Sequence, residues 1–237
     1  MTAENVRAEL QRHVDPARAE HSQRFFKTYD GGYAQGDKFL GLKVPVTRAV
    51  CKQFKDLPLA EIKKLLASPI HEHRLAALVI MTEQAKKASP QQLKKLYDFY
   101  LKNTNHINNW DLVDVSAPNI VGVYLLDKDH APLYKLARSK DLWEKRIAVV
   151  STLTLIREGQ LNDTFAISEL LLADTHDLIH KAVGWMLREA GKRDRTVLLK
   201  FLDKHAAQMP RTALRYSLEL LTSDQKSHYM NLKTSVK

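Results

Sequence analysis

The chain has 237 residues, enough for one sizeable core and at most two domains. Glycine and proline number only eight each, too few turn residues for a large β-protein, and no run of ~18 apolar residues offers a membrane span. The formal net charge of +10 gives a basic field that suits nucleic acid or an anionic surface.

The opening stretch TAENVRAELQRH is polar and amphipathic and lacks the apolar centre of an export signal. Cys51 is the only cysteine, so no disulfide can form within the chain and a reducing, cytoplasmic setting is expected. It lies in RAVCKQF on a helix face predicted to pack inward, which disfavours nucleophilic chemistry. Before it, TYDGGYAQGDKFLGLKVP (Thr28–Pro45) reads as a loop-like insert. Its glycines suggest a phosphate-binding loop, but Asp37 stands where lysine is needed, Phe39 is neither Ser nor Thr, and no strand precedes it.

Beyond the insert, apolar residues recur at helical spacing. Helices are predicted over Ala60–Ala67, His73–Ala85, Pro90–Lys102, Lys145–Glu158 and Thr164–Asp174. The breakers DLP, SP, ASP and EGQ separate them, and such short connections imply antiparallel helix pairs. The expected fold is all-α.

A repeat appears when the segments HRLAAL, VDVSAP, KRIAVV, HKAVGW and PRTALR are aligned. The key residues are Arg74, Asp114, Arg146, Lys181 and Arg211, separated by 30 to 40 residues. That spacing fits a superhelical solenoid of HEAT-like or armadillo-type helix pairs, with one key position along a concave face. Four of the keys are basic, so the face is expected to follow a polyanion, with Arg74, Lys181 and Arg211 at the backbone. Helix N-termini would add their partial charge. A single domain over residues 1–237 is expected, irregular through residue 50 and repeat-built from residue 51.

No metal site is legible. His71 and His73 are two apart and face different sides of a helix. His176 and His180 are four apart but have no evident third ligand.

The exception to the basic character is NNWDLVDVSAP (Asn108–Pro118), inside a stretch from Asn103 to Asp127 with no lysine or arginine. Asn108 or Asn109 can cap a helix. Trp110 and Asp114 then share a face, and Pro118 falls four residues after Asp114, where it deprives that carbonyl of its hydrogen bond. A helix irregularity at Asp114 is expected. With Arg146 and Trp185 on neighbouring repeats, these residues could gather on the concave face.

NNWDLVDVSAPNIVGVYL, WEKRIAVVSTLTLIREG, IHKAVGWMLREAGKRD and YAQGDKFLGLKVPVTRAV resemble the AlkD-type DNA alkylation repair family, the HEAT-like alkylpurine DNA glycosylases. The resemblance covers nearly the whole chain in order. It implies hydrolysis of the N-glycosidic bond of cationic N3-alkyladenine or N7-alkylguanine in double-stranded DNA. No cofactor is expected, and a monomer is the default because nothing in the sequence suggests a symmetric interface. The resemblance assigns the catalytic aspartate to Asp114, the cleft tryptophans to Trp110 and Trp185, the cleft arginine to Arg146, and backbone contacts to Arg48 and Arg188. Two positions depart from the family. Phe25 stands where members carry a tyrosine near the cleft, and Lys43, a further candidate DNA contact, where others have a polar neutral residue. On the residues alone, a non-catalytic HEAT-like DNA-binding protein and a helical protein–protein scaffold remain as alternatives.

Overall fold

The computed structural model describes residues 1–232. Among them the regular structure is helical, with one isolated parallel bridge between Lys38 and Ile70. The chain divides into two compact units, Met1–Tyr124 and Leu125 onward.

The first unit contains α1 (Ala3–Gln11), α2 (Pro16–Phe25), α3 (Val44–Lys52), α4 (Leu59–Leu66), α5 (His71–Ala85), α6 (Pro90–Leu101) and α7 (Trp110–Ala117). Capping residues mark several starts. Thr2 and Ser89 form capping boxes on α1 and α6, and Asp15 caps α2 ahead of Pro16. Helix α5 is buried nearly throughout, from His71 to Thr82, and packs against α3, α4 and α7. Its apolar run Leu75–Met81 forms the centre of this unit's core.

The Thr28–Pro45 insert is a loop as expected, except that Val44 and Pro45 already belong to the first turn of α3. It is tied to the start of α5. Lys38 N–H donates to the Pro69 carbonyl (3.0 Å), and His71 N–H donates to the Lys38 carbonyl (2.8 Å). The buried Glu72 carboxylate then accepts three backbone N–H groups, from Leu40 (2.9 Å), Gly41 (2.7 Å) and Leu42 (3.2 Å). A charged acceptor makes these hydrogen bonds stronger than neutral ones. Gly41 has φ 82°, and a Cβ there would lie 2.2 Å from the Asp15 carbonyl oxygen, so only glycine fits. These anchors fix where the chain enters α3, which carries Arg48, with Lys43 at its N-cap.

The second unit contains α9 (Ala131–Ala137), α10 (Leu142–Arg157), α11 (Asn162–Leu171), α12 (Asp177–Arg193), α13 (Arg195–His205), α14 (Arg211–Leu218) and α15 (Ser223–Asn231). A short helical piece, α8 (Val123–Leu125), spans the boundary between the units. Helices α10, α12 and α14 pack side by side, while α9, α11 and α13 cover them. The first unit repeats the pattern with α3, α5 and α7. Stacking of alternate helices is the packing of two-helix solenoid repeats.

The predicted key register holds for four segments. Arg74 is the fourth residue of its helix, and Asp114, Arg146 and Lys181 are each the fifth. It slips in the last segment, because Arg211 opens α14 and the exposed Arg215 takes the fifth position.

Candidate active site

The NNWDLVDVSAP segment folds as predicted up to Asp114. Asn109 is the cap, its side-chain oxygen accepting from the Trp110 N–H at 2.8 Å. Asp111 lies in the first turn, where a carboxylate suits the helix dipole. Pro118 has no N–H for the Asp114 carbonyl. The chain responds with a π-helical turn over Pro118–Gly122, so the irregularity begins at the proline and not at Asp114 itself. The Asn119 side-chain amide donates to the Val115 carbonyl at 2.7 Å, within this rearranged stretch. Below it, the Tyr100 hydroxyl lies 2.9 Å from Ser116 Oγ. Complete burial, with the Asp114 charge adding to it, pushes Tyr100 far above its usual range, against the Ser116 hydrogen bond. Asp114 itself is half-buried.

Trp110 sits in an aromatic cluster of which only Phe25 is expected near the cleft from the sequence. Phe26 stacks on it with ring centres 5.3 Å apart, and Phe25 meets it edge-on at 6.1 Å. Its indole N–H donates to the Tyr33 hydroxyl at 3.1 Å. Phe25 is 57% exposed, an aromatic with no hydroxyl at the rim of the cluster. The hydroxyl that reaches Trp110 comes instead from the glycine-rich insert.

Behind this cluster lies a buried charged network. The His71 ring is stacked on Phe39 (4.6 Å) and lies 5.1 Å from Phe26. Its Nε2 is 2.7 Å from Asp111 Oδ2, and its Nδ1 is 3.8 Å from Asp37 Oδ2. Asp37 also accepts from Arg74 at 2.5 Å and from the Asn108 amide at 3.4 Å. This corrects the expectation for Arg74. It is 4% exposed and bound to Asp37 and the Ser68 carbonyl, so it holds the insert against α5 and does not face DNA.

The two histidines of HEH differ as their spacing predicted. His73 Nδ1 pairs with Ser68 Oγ at 2.9 Å, and burial, helped by Arg7 and Arg74, lowers it to about 4. For His71, burial would also expel the proton, but the Asp111 carboxylate, with Asp37, outweighs it and raises the ring to about 9. Cys51 is buried on α3 as expected, its thiol pushed up to about 12 by burial. His180 Nε2 faces the Asp174 carbonyl at 2.6 Å and His176 Nδ1 accepts from the Leu178 N–H at 3.1 Å, so each is used by its own loop.

In the second unit, Arg146 is only 5% exposed, and its Nη1 donates to the Leu178 carbonyl at 2.6 Å, in the first turn of α12. Trp185 lies seven residues further along α12, about 10 Å at 1.5 Å per residue. It lines a pocket of about 550 Å³ with Leu153, Ile156, Arg157, Glu189 and Arg193. Arg146 and Trp185 therefore sit at different levels of the α10–α12 pair. At Gly184, just before Trp185, α14 crosses at close range. A Cβ there would come within 2.5 Å of both the Ala213 carbonyl oxygen and Tyr216 Cβ.

The remaining predicted DNA contacts differ in how committed they are. Arg48 and Lys43 are exposed on α3 and its cap. Lys181 pairs with Asp177 at 2.7 Å, one turn back on the same helix. Arg188 is held by Glu219 and Glu189, and Arg211 donates to the Met230 carbonyl at 2.8 Å. Arg157 and Arg193, beside Trp185, were not singled out from the sequence, although both stand at the ends of helices that were.

Comparison with known proteins gives a consistent picture. The sequence profile of a family described as DNA alkylation repair enzyme matches residues 6–221. No curated protein matches the chain. Among solved structures, a chain described as a predicted DNA alkylation repair enzyme from Enterococcus faecalis shares the fold, with a TM-score of 0.69 and 17% identity over 89% of this chain and 98% of that one. The profile match covers nearly the whole chain, and the protein belongs to the DNA alkylation repair enzyme family.

Proposed function

We propose that the protein is a DNA glycosylase that hydrolyses the N-glycosidic bond of cationic alkylated purines, N3-alkyladenine and N7-alkylguanine, in double-stranded DNA. One observation carries the reading. The half-buried Asp114 carboxylate stands one helical turn from the Trp110 indole, in a stretch without lysine or arginine.

An N3- or N7-alkylated purine already carries positive charge. It leaves with the electron pair of the C1′–N bond and needs no general acid, unlike the two-carboxylate scheme of glycoside hydrolysis. What remains is an oxocarbenium-like sugar and a water that must add to C1′ and lose a proton. Asp114 faces the developing charge, orients the water and takes the proton. A carboxylate ~4 Å from that charge, at an effective dielectric of ~20, contributes ~4 kcal/mol. Expressed mainly in the transition state, this is roughly a thousandfold in rate.

Trp110 offers an indole face to the cationic base, worth ~0.5–2 kcal/mol, and shields the carboxylate from water. Its N–H is satisfied by Tyr33, which fixes the plane of the ring. Trp185, in the second unit, is assigned to the DNA beside the lesion, while Arg146, buried like Arg74 and bonded to the Leu178 carbonyl, is assigned to holding the start of α12 and not to a DNA contact. Lys43, Arg48, Lys181, Arg188 and Arg211 are assigned to the backbone. The whole chain is read as one monomeric, cytoplasmic DNA-binding domain that uses no cofactor.

The test is mass spectrometry of the bases released from methylated duplex DNA by the wild-type protein. Release of 3-methyladenine or 7-methylguanine is expected. Tight binding of the same DNA with no base released would favour the non-catalytic reading instead.

A further inference from the structure

The sequence singles out His71 and His73 but finds no use for either, and the reaction proposed above does not touch them. The structure places His71 at a junction. Its Nε2 lies 2.7 Å from Asp111, the residue between Trp110 and the rest of α7. Its ring is 5.1 Å from Phe26, which in turn stacks on Trp110 at 5.3 Å. The other ring face lies on Phe39.

We propose that His71 is a positioning residue for the reaction: through Asp111 and through Phe26 it fixes the first turn of α7, and with it the Trp110 indole and the Asp114 carboxylate one turn on. This rests on the glycosylase reading for the identity of the reacting groups. The physical link itself does not, because it consists of contacts within one unit.

The groups that face His71 are Asp111 from α7, Asp37 from the insert and Arg74 from its own helix, with Phe26 and Phe39 against its ring faces. Its Nδ1 is too far from Asp37 for a hydrogen bond but close enough for ionic attraction. Asp37 is shared with Arg74, so the insert that supplies Tyr33 and Phe39 is locked to the same network. The two carboxylates outweigh burial and hold the ring protonated up to about pH 9. Deprotonation would leave Asp111 with a weaker partner and loosen the turn that carries Trp110.

Two readouts test this. The first is fluorescence of Trp110 as the sole tryptophan, in a Trp143→Phe, Trp185→Phe background, followed from pH 7 to 10.5. With His71 present, the emission should change with a midpoint near pH 9, as its raised value requires. With His71→Gln the change should vanish, and with Tyr33→Phe it should persist. The second readout is base release at neutral pH in the otherwise wild-type chain. His71→Gln should lower kcat about tenfold to a hundredfold, with DNA affinity within about twofold, as misplacement of a reacting group does. Asp111→Asn keeps the shape of the side chain and should reproduce both effects if His71→Gln folds poorly. An identical Trp110 pH course with and without His71, or unchanged kcat in a folded variant, would overturn the proposal. If no protein releases base while the Trp110 transition follows His71, the glycosylase reading fails and the physical link stands.

Discussion

At the residue scale, the same residue type serves opposite ends. Arg74 and Arg48 are both read from the sequence as DNA contacts. Arg74 is buried against Asp37, and Arg48 is exposed. The spacing that aligned the key positions reports helix register, and register alone does not say whether a carboxylate from a distant loop arrives to neutralise a side chain. The two arginines should therefore part under mutation. Arg74→Ala leaves Asp37 buried without its main partner and should cost about 3–5 kcal/mol of stability. Arg48→Ala should change stability by less than ~0.5 kcal/mol and weaken DNA binding evenly across sequences. Urea unfolding and a DNA titration on both variants check this, and a stable, weak-binding Arg74→Ala would contradict the structural role.

At the element scale, most of the fold is legible in the sequence. The helices predicted from apolar spacing form within about three residues of their expected ends, because cap residues and breakers are local signals. The N-terminal insert is different. Its path depends on Glu72 collecting three backbone N–H groups and on Gly41 packing against Asp15, contacts without a period to read. The candidate site divides the same way. Asp114, Trp110 and the proline that widens the helix are visible in one short stretch. Tyr33 and Phe26, which contact the indole, and His71 behind them arrive by long-range packing. Gly184 shows what an element-scale contact demands. Adding a methyl group there would push α14 away from α12, and Gly184→Ala should destabilise the protein by about 1–3 kcal/mol despite the better helix propensity of alanine. A thermal melt decides, and an unchanged or raised Tm would mean that the helices part at no cost.

At the scale of the whole molecule, the basic chain and its acidic stretch fit one purpose. The net charge of +10 draws in the polyanion, and on the proposed reaction the segment without lysine or arginine places the Asp114 carboxylate where the positive charge of lesion and sugar would develop. Stability should carry the signature of the buried histidines. His71 is raised to about 9, so its contribution is complete below its ordinary 6.5 and is lost as pH rises through 9. His73 is lowered to about 4, so stability also falls as pH drops from 6.5 towards 4, where the unfolded chain binds a proton that the folded one refuses. Chemical unfolding from pH 4 to 10 should show a maximum near 6 to 7, and His71→Gln should flatten the alkaline side.

The central claim is that Asp114 stabilises the sugar cation as an alkylated purine departs. Its most direct test is the single-turnover rate of 7-methylguanine release from methylated duplex DNA, by the wild-type protein and by Asp114→Asn, which keeps the shape and removes the charge. The expected result is a fall of about a thousandfold with DNA affinity nearly unchanged, the size set by one ~4 kcal/mol electrostatic contact. Equal rates for the two proteins would contradict the account.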